Sequence, residues 1–320
     1  MIAEQAEPDR RPGKATYLAY RWLAAGMQAL PEPAANAAAR IVALLLTTSR
    51  ADSRQMYGRH LRRVLGSDLS ESEVRTWTRR AFLEYSRYWM EGARLPAVPP
   101  EQILARFMRP QGMEHLVRGM EAKKGVVMAL PHVGTWEWGG AWLALQGYPM
   151  TSVAEPVEPP ELYEWFVDQR EQMGLRIIKM GPGTGAALLK TLREGNLVGL
   201  LCDRDILGNG VEVEFFGEKT TFPSGPATLA LRSGAALLPT VVYSGPGSDH
   251  STLIRPPLDT TRTTTFRKDV VRVTQDLAYE LEGFVRRAPD QWHLFQPNWP
   301  SDEPQSIERA QHNGRRQGAA

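Results

Sequence analysis

The chain has 320 residues, 42% of them hydrophobic and 23% charged, the balance of an ordinary globular protein, with a net charge of +2. Its length supports a sizeable core in one large domain or two smaller ones. A single cysteine, Cys202, excludes an intrachain disulfide and a cysteine-rich zinc site. The polar start MIAEQAEPDRRPGK does not read as a secretory signal, and no run of about 18 uninterrupted apolar residues reads as a membrane span. The charge is uneven: residues 1–95 hold 15 Lys+Arg against 10 Asp+Glu, an excess of 5, which leaves −3 on the remainder.

Residues 15–30 predict a helix that is Leu, Ala, Trp, Tyr and Met on most sides, with Lys14, Arg21 and Gln28 on one narrow stripe; Pro31 and Pro33 end it. A second apolar helix is expected over 34–48, through Ile41, Val42, Leu44, Leu45 and Leu46. At a rise of about 1.5 Å per residue both are too short to cross a hydrocarbon layer of roughly 30 Å. They either pack on the body as core or lie in a membrane interface, with Tyr17, Tyr20 and Trp22 at headgroup level. Arg50, Arg54, Arg59, Arg62 and Arg63 follow, opposed only by Asp52. They form a solvated helix face or a contact with an anionic surface. Ser70 and Glu73 have capping-box spacing and start a helix over 70–94, and LPAVPP (95–100) reads as a linker.

After residue 100 apolar runs alternate with helical stretches. Strands are expected at 126–130, 150–155, 175–180, 196–203 and 235–244, with VEVEFF also strand-like; helices are expected at 137–146, 160–173, 184–194, 225–233 and 266–287. The pattern implies an α/β domain over 100–300, with a mostly parallel or mixed sheet flanked by helices. Residues 301–320 carry almost no apolar content and read as a disordered tail.

In such sheets reactive groups lie just beyond the carboxyl ends of strands. His132 stands two residues past VVMAL, where it is a candidate general base, and Glu137 follows five residues later. Five residues on one continuous helix turn through about 140° from alignment. For the two to meet, Val133-Gly134-Thr135 must form a turn that leaves Glu137 in the first turn of a helix. LLCDRD (200–205) ends a buried-looking strand in three charges. Arg204 suits a phosphate or carboxylate, and Asp203 has a position near the histidine, against the plainer reading of a surface turn. Cys202 reads as a strand residue. GPGTG (181–185) lacks the Walker lysine and reads as a strand-to-helix turn, and neither G-x-S-x-G nor a zinc-type histidine motif is present.

Together these residues resemble the lysophospholipid acyltransferase-like superfamily, in its bacterial branch of late lipid A acyltransferases and actinobacterial phosphatidylinositol mannoside acyltransferases. The resemblance rests on the H-x-x-x-x-[DE] pair His132/Glu137 and the "DRD" block Asp203–Asp205. It continues through Val213, Phe215–Glu218, Pro223, Gly225–Ala227, Leu229 and Ala230, then Ser233–Pro239, and closes on Pro289, Gln291 and Trp292. It covers roughly residues 15–300 and is nearest the phosphatidylinositol mannoside branch. It departs at two places: Glu137 stands where Asp is commoner, and Asp203 where close relatives often carry Glu.

The resemblance implies a glycerolipid acyltransferase-like fold with a membrane-associating N-terminal region over 1–95. It implies transfer of a fatty acyl group from acyl-CoA to a glycolipid hydroxyl, with His132 as base, Glu137 orienting it and Asp203 in the catalytic set. Trp136, Glu155, Arg170 and Arg204 are the expected substrate-binding residues. No cofactor beyond the acyl-CoA substrate, no metal and no nucleic-acid partner is expected. The expected partner surface is the anionic inner leaflet, at the cytoplasmic face of the plasma membrane. A thioesterase and a non-catalytic lipid-binding protein remain as alternatives.

Overall fold

A computed structural model describes residues 13–108 and 110–303. The helical front comprises α1 (Lys14–Ala29), α2 (Glu32–Ser49), α3 (Ala51–Leu65) and α4 (Glu71–Arg94). Eight strands follow: β1 (Val126–Leu130), β2 (Met150–Ala154), β3 (Arg176–Lys179), β4 (Leu197–Leu201), β5 (Val211–Phe215), β6 (Glu218–Phe222), β7 (Ala236–Ser244) and β8 (His250–Ile254). Between and after them run α5 (Pro100–Arg106), α6 (Met113–Glu121), α7 (Trp136–Leu145), α8 (Pro160–Gln172), α9 (Thr184–Arg193), α10 (Gly225–Ser233) and α11 (Phe266–Arg287). Six strands form one sheet in the order β3-β2-β4-β1-β7-β8, and β5 and β6 form a separate antiparallel pair. Within the large sheet only β8 runs antiparallel to its neighbour.

β1 is apolar at every position because both its faces are covered. Val127 and Ala129 join a core with Ala227 and Leu229 of α10 and Val273 and Leu277 of α11. Val126, Met128 and Leu130 join another with Ile103 of α5, Leu116 of α6 and Trp138 and Trp142 of α7. The two-residue period of a strand thus divides one run between two cores. Each large side chain so buried contributes about 1.5–3 kcal/mol.

The capping box forms, with the Glu73 amide donating to Ser70 Oγ and the Ser70 amide to Glu73 Oε2. The segment 95–100 is not an open linker: Leu95–Ala97 make a single tight helical turn and Leu95 is buried in the core of β1's second face. α3 buries Tyr57, Leu61 and Val64, a stripe at helical spacing that its arginines obscured in the sequence. The front is tied to the C-terminal segment. Tyr57 Oη donates to the Pro289 carbonyl, His60 Nε2 lies 2.9 Å from the Gln296 carbonyl, and Phe295 stacks on Tyr57. Order extends past the expected start of the tail, since Asp302 is fully buried and pairs with Arg63 at 2.9 Å; the rest of that tail lies outside the described residues.

α1 and α2 are packed inside out. α2 buries Ala35, Ala39 and Ala43, one residue per turn, in contact with α4, and leaves Ile41, Val42, Leu44 and Leu45 exposed. α1 buries only Ala24, exposes Leu18, Leu23 and Trp22 (76%), and turns the amide of Gln28 inward to the Ala93 carbonyl at 2.8 Å. The polar stripe of Lys14, Arg21 and Gln28 therefore includes a structural contact. No helix among the described residues is long and apolar enough to cross a membrane.

Three histidines are held in the packing, His60 and His250 buried and His293 half-buried. His60 lies beside Trp292 and Trp299, His250 stacks on Trp138, and His293 lies on Tyr88. Burial is the main cause that draws His60 down to about 4 and His250 and His293 to about 3. All three are therefore neutral when folded, while the unfolded chain takes up their protons near pH 6.5. The stability they contribute is present above that pH and declines as pH falls toward about 3–4, by about 1.4 kcal/mol per unit for each ring. Glu84 and Glu91, raised by burial, run the other way and offset part of the loss. Denaturant titrations at pH 7.5 and pH 5 are expected to differ by several kcal/mol, with the protein weaker at pH 5; equal midpoints would contradict the neutral histidines.

Candidate active site

The parallel register aligns Leu130 of β1 with Leu201 of β4. Two residues further on, His132 and Asp203 leave the same sheet edge side by side. Cys202 between them continues the pairing, its amide donating to the Leu130 carbonyl at 2.9 Å. Cys202 is buried, and burial followed by the Asp203 charge pushes its thiol well up, so it is no nucleophile.

His132 Nδ1 lies 2.5 Å from Asp203 Oδ1, and the His132 amide donates to Asp203 Oδ2 at 3.0 Å. A third donor comes from far along the chain, the Trp292 indole N–H at 2.8 Å from the same Oδ2. Asp203 is wholly buried. Burial raises its pKa, but the His132 charge, the bonds from the His132 ring and Trp292, and the His132 amide together outweigh it and hold the carboxyl below its ordinary value. A carboxylate at Nδ1 selects the tautomer with the proton on Nδ1, leaving Nε2 to accept one. The His132 side chain is 27% exposed, so that nitrogen has access to a reactant. The pair has the geometry of the histidine and orienting aspartate of a serine-hydrolase triad, without the serine.

The turn expected between His132 and Glu137 is present, and it is pinned on two sides. The Gly134 amide donates to the Gln291 carbonyl and the Thr135 amide to the Val242 carbonyl, at 2.9 and 3.0 Å. Gly134 has φ +65°, and a Cβ there would stand 1.9 Å from the Val242 carbonyl oxygen. His293 closes the far side, its amide donating to the His132 carbonyl at 2.8 Å and Nε2 facing the Gly134 carbonyl at 3.0 Å.

Glu137 sits in the first turn of α7, as expected, but it does not meet His132. Its Oε1 accepts from Tyr88 Oη at 3.0 Å and from Arg170 at 3.1 Å. The acid in contact with the histidine is Asp203, because the turn that lifts His132 out of β1 aims the ring along the sheet edge toward β4 rather than along α7. Arg170 from α8 also lies over the rings of Trp136 and Phe166. Glu137, Arg170 and Trp136 thus form a second cluster, joined to the dyad through His293, whose ring lies against Tyr88. Burial, then the Glu137 charge, pushes the Tyr88 phenol well up, so it remains a donor.

Arg204 is half-buried directly after Asp203, and Glu155 is exposed one residue beyond β2. Both stand at the carboxyl edge of neighbouring strands, and no hydrogen bond or ion pair joins either to the two clusters among the described residues. Trp292, Tyr88 and His293 were not assigned roles from sequence. Only the Pro289-Gln291-Trp292 block signalled that the region matters, and it did not say to which atom the indole would donate.

By its sequence the chain is an acyltransferase. Residues 6–301 match the family described as bacterial lipid A biosynthesis acyltransferase, and the chain belongs to that family. It is 34% identical over 303 residues to a phosphatidylinositol mannoside acyltransferase of Mycolicibacterium smegmatis, spanning 91% of this chain and 93% of that one. It is 38% identical over 222 residues to the phosphatidylinositol mannoside acyltransferase of Mycobacterium tuberculosis strain H37Rv, 68% of each chain. A lipid A biosynthesis acyltransferase of Haemophilus influenzae is 28% identical over 185 residues, 57% of this chain and 55% of that one.

Gly134→Ala is expected to cost more than about 2 kcal/mol, since the added methyl meets backbone on the far strand and φ is positive. Activity should fall with it even at temperatures where the variant is still folded. Thermal unfolding and residual activity measured together test this, and wild-type values in both would show that the turn tolerates the methyl.

Proposed function

We propose that the enzyme transfers a fatty acyl group from acyl-CoA to a hydroxyl of a glycolipid, a mannose of a phosphatidylinositol mannoside, at the membrane surface. The reading is carried by the His132–Asp203 dyad with its free, accessible Nε2, and supported by the relatives named above. An alcohol is a weak nucleophile, so its proton must leave as the oxygen attacks the thioester carbonyl. Nε2 takes that proton, the C–O bond forms, and the imidazolium is stabilised by the Asp203 carboxylate. Collapse of the tetrahedral intermediate breaks the C–S bond, and the imidazolium returns its proton to the leaving thiolate. No acyl-enzyme is required, in keeping with a buried, protonated Cys202.

Glu137 then serves as a positioning residue, holding Arg170 over Trp136 beside the dyad. Arg170 and Arg204 suit anionic groups of the substrates, and Glu155 suits sugar hydroxyls.

His132→Ala is expected to abolish transfer with the fold retained. Asp203→Asn should cost about 10²–10⁴ in kcat, the range of disturbed acid–base catalysis, and Glu137→Gln at least about tenfold less than that. The assay is labelled palmitoyl-CoA with phosphatidylinositol mannosides, products identified by mass. If acyl-CoA is consumed equally fast without acceptor, giving free fatty acid, the enzyme is a thioesterase; the reverse ranking of the two acid variants would return the orienting role to Glu137.

The outward apolar residues of α1 and α2 support the reading of an interfacial membrane anchor, and the cytoplasmic face of the plasma membrane is the location that goes with this proposal. In water these helices expose Trp22, Leu23, Ile41, Leu44 and Leu45 and bury alanine, an arrangement that a lipid phase over the outer face makes favourable. Trp22→Ser/Ile41→Ser/Leu45→Ser should bind neutral phosphatidylcholine vesicles more than about tenfold more weakly than wild type. Equal sedimentation of the two proteins would remove the anchor.

A further inference from the structure

The arginine cluster seen in the sequence does not face solvent as a block. Arg63 pairs with Glu218 at 2.7 Å and with Asp302, Arg62 pairs with Glu71 at 2.6 Å, and Arg54 caps the end of α2 through the Thr47 and Thr48 carbonyls. Arg50 and Arg59 are left; Arg50 lies outside the groove, and α4 brings two more arginines to Arg59. Arg59, Arg75 and Arg79 line one groove of ≈1090 Å³ formed by the end of α2, α3 and the first half of α4. None of these three makes a hydrogen bond or ion pair among the described residues, although Arg59 is half-buried.

A second observation points the same way. Thr78 lines the groove, is 4% exposed, and its Oγ1 has no hydrogen-bond partner among the described residues. Glu71 also lines the groove but is paired with Arg62. The unpaired buried hydroxyl and the half-buried Arg59 are unfavourable without partners, and one anion with several acceptor oxygens satisfies both while reaching the exposed Arg75 and Arg79. Arginine forks match phosphate oxygens in geometry and stay charged at any physiological pH. The groove is also continuous with apolar surface: Leu44 lines it and is itself 65% exposed, beside exposed Ile41 and Leu45 on α2. A free phosphate would leave those side chains in water, whereas a phospholipid covers them with its chains. None of the lining residues touches His132, Asp203, Glu137 or Arg170.

We propose that this groove binds the phosphate-bearing headgroup of an anionic phospholipid, apart from the catalytic dyad, and so fixes how the enzyme sits on the bilayer. The proposal rests on the membrane reading of α1 and α2, and the two fail separately. The test compares wild type, Arg59→Gln/Arg75→Gln/Arg79→Gln, and a control, Arg40→Gln/Arg50→Gln/Arg80→Gln, that removes the same charge from the same region outside the groove. Binding is measured to phosphatidylcholine vesicles with and without phosphatidylinositol. The groove variant should bind the phosphatidylinositol vesicles about thirtyfold or more weakly than wild type, the control within about threefold, and all three should bind neutral vesicles alike.

Equal losses in the two variants, or none in the groove variant, overturn the site in favour of diffuse attraction. Wild type that binds neutral vesicles without preferring anionic ones defeats the groove and leaves the anchor standing, while wild type that binds no vesicle defeats the anchor first. Inorganic phosphate that binds the groove tightly and abolishes the preference assigns it to a soluble phosphate, and an RNA oligonucleotide bound through the same three arginines more tightly than the vesicles assigns it to nucleic acid. Either result overturns the lipid.

Discussion

A single carboxylate without solvent governs this active site. Asp203 is fully buried, and an unpaired charge in that position would cost several kcal/mol. Its stabilisation requires three donors from two distant places: the ring and amide of His132 beyond β1, and the indole of Trp292 near the C-terminus. The same contacts that make the buried charge tolerable fix the imidazole and leave Nε2 free. The C-terminal segment must then stay in place, and the packing of Tyr57 and Phe82 from the front against Phe295 holds it there. The helical front thus supports the dyad through the segment that carries Trp292.

The second acid follows a different logic. Glu137 lies in the first turn of α7, where the helix dipole favours a negative charge. Its partners are a cation and a phenol rather than the base. Arg170 would otherwise be a poorly solvated cation among aromatic rings, and Glu137 neutralises it while Trp136 and Phe166 flank it. Two carboxylates near one histidine therefore divide the work. One is in contact with His132 and the other holds the neighbouring cation, and the His293 ring lies against Tyr88, which donates to Glu137.

At the other end of the front, the usual order of a surface helix is reversed. α2 spends its small residues on packing, which lets it approach α4 closely, and keeps its large ones outside. That choice leaves large apolar side chains facing water, the observation on which the proposed membrane anchor rests. Arg59, Arg75 and Arg79, without ion-pair partners among the described residues, line a groove that Leu44 of that face also lines.

Much was legible in the sequence because it was local. The run VVMAL, alternation with helices, the Ser70–Glu73 cap and the position of His132 after a strand all follow from neighbours within a few residues. They gave five strands of the main sheet, the helix boundaries to within a residue or two and the dyad's histidine. β8 escaped, since HSTLI alternates weakly and gains its place only by pairing with β7. α3 escaped because its buried stripe lies among arginines. The partner of His132 was decided by tertiary structure alone. Glu137 is five residues away and Asp203 seventy-one, yet strand register puts Asp203 at 2.5 Å and a turn directs the ring toward it. Whether Arg54, Arg62 or Arg59 remained free was likewise decided by which carbonyl or carboxylate folding brought to each. The sequence determined which groups carry charge, because that is a property of the side chain. Only the tertiary structure decided which charges are compensated, because compensation is a matter of distance across the fold.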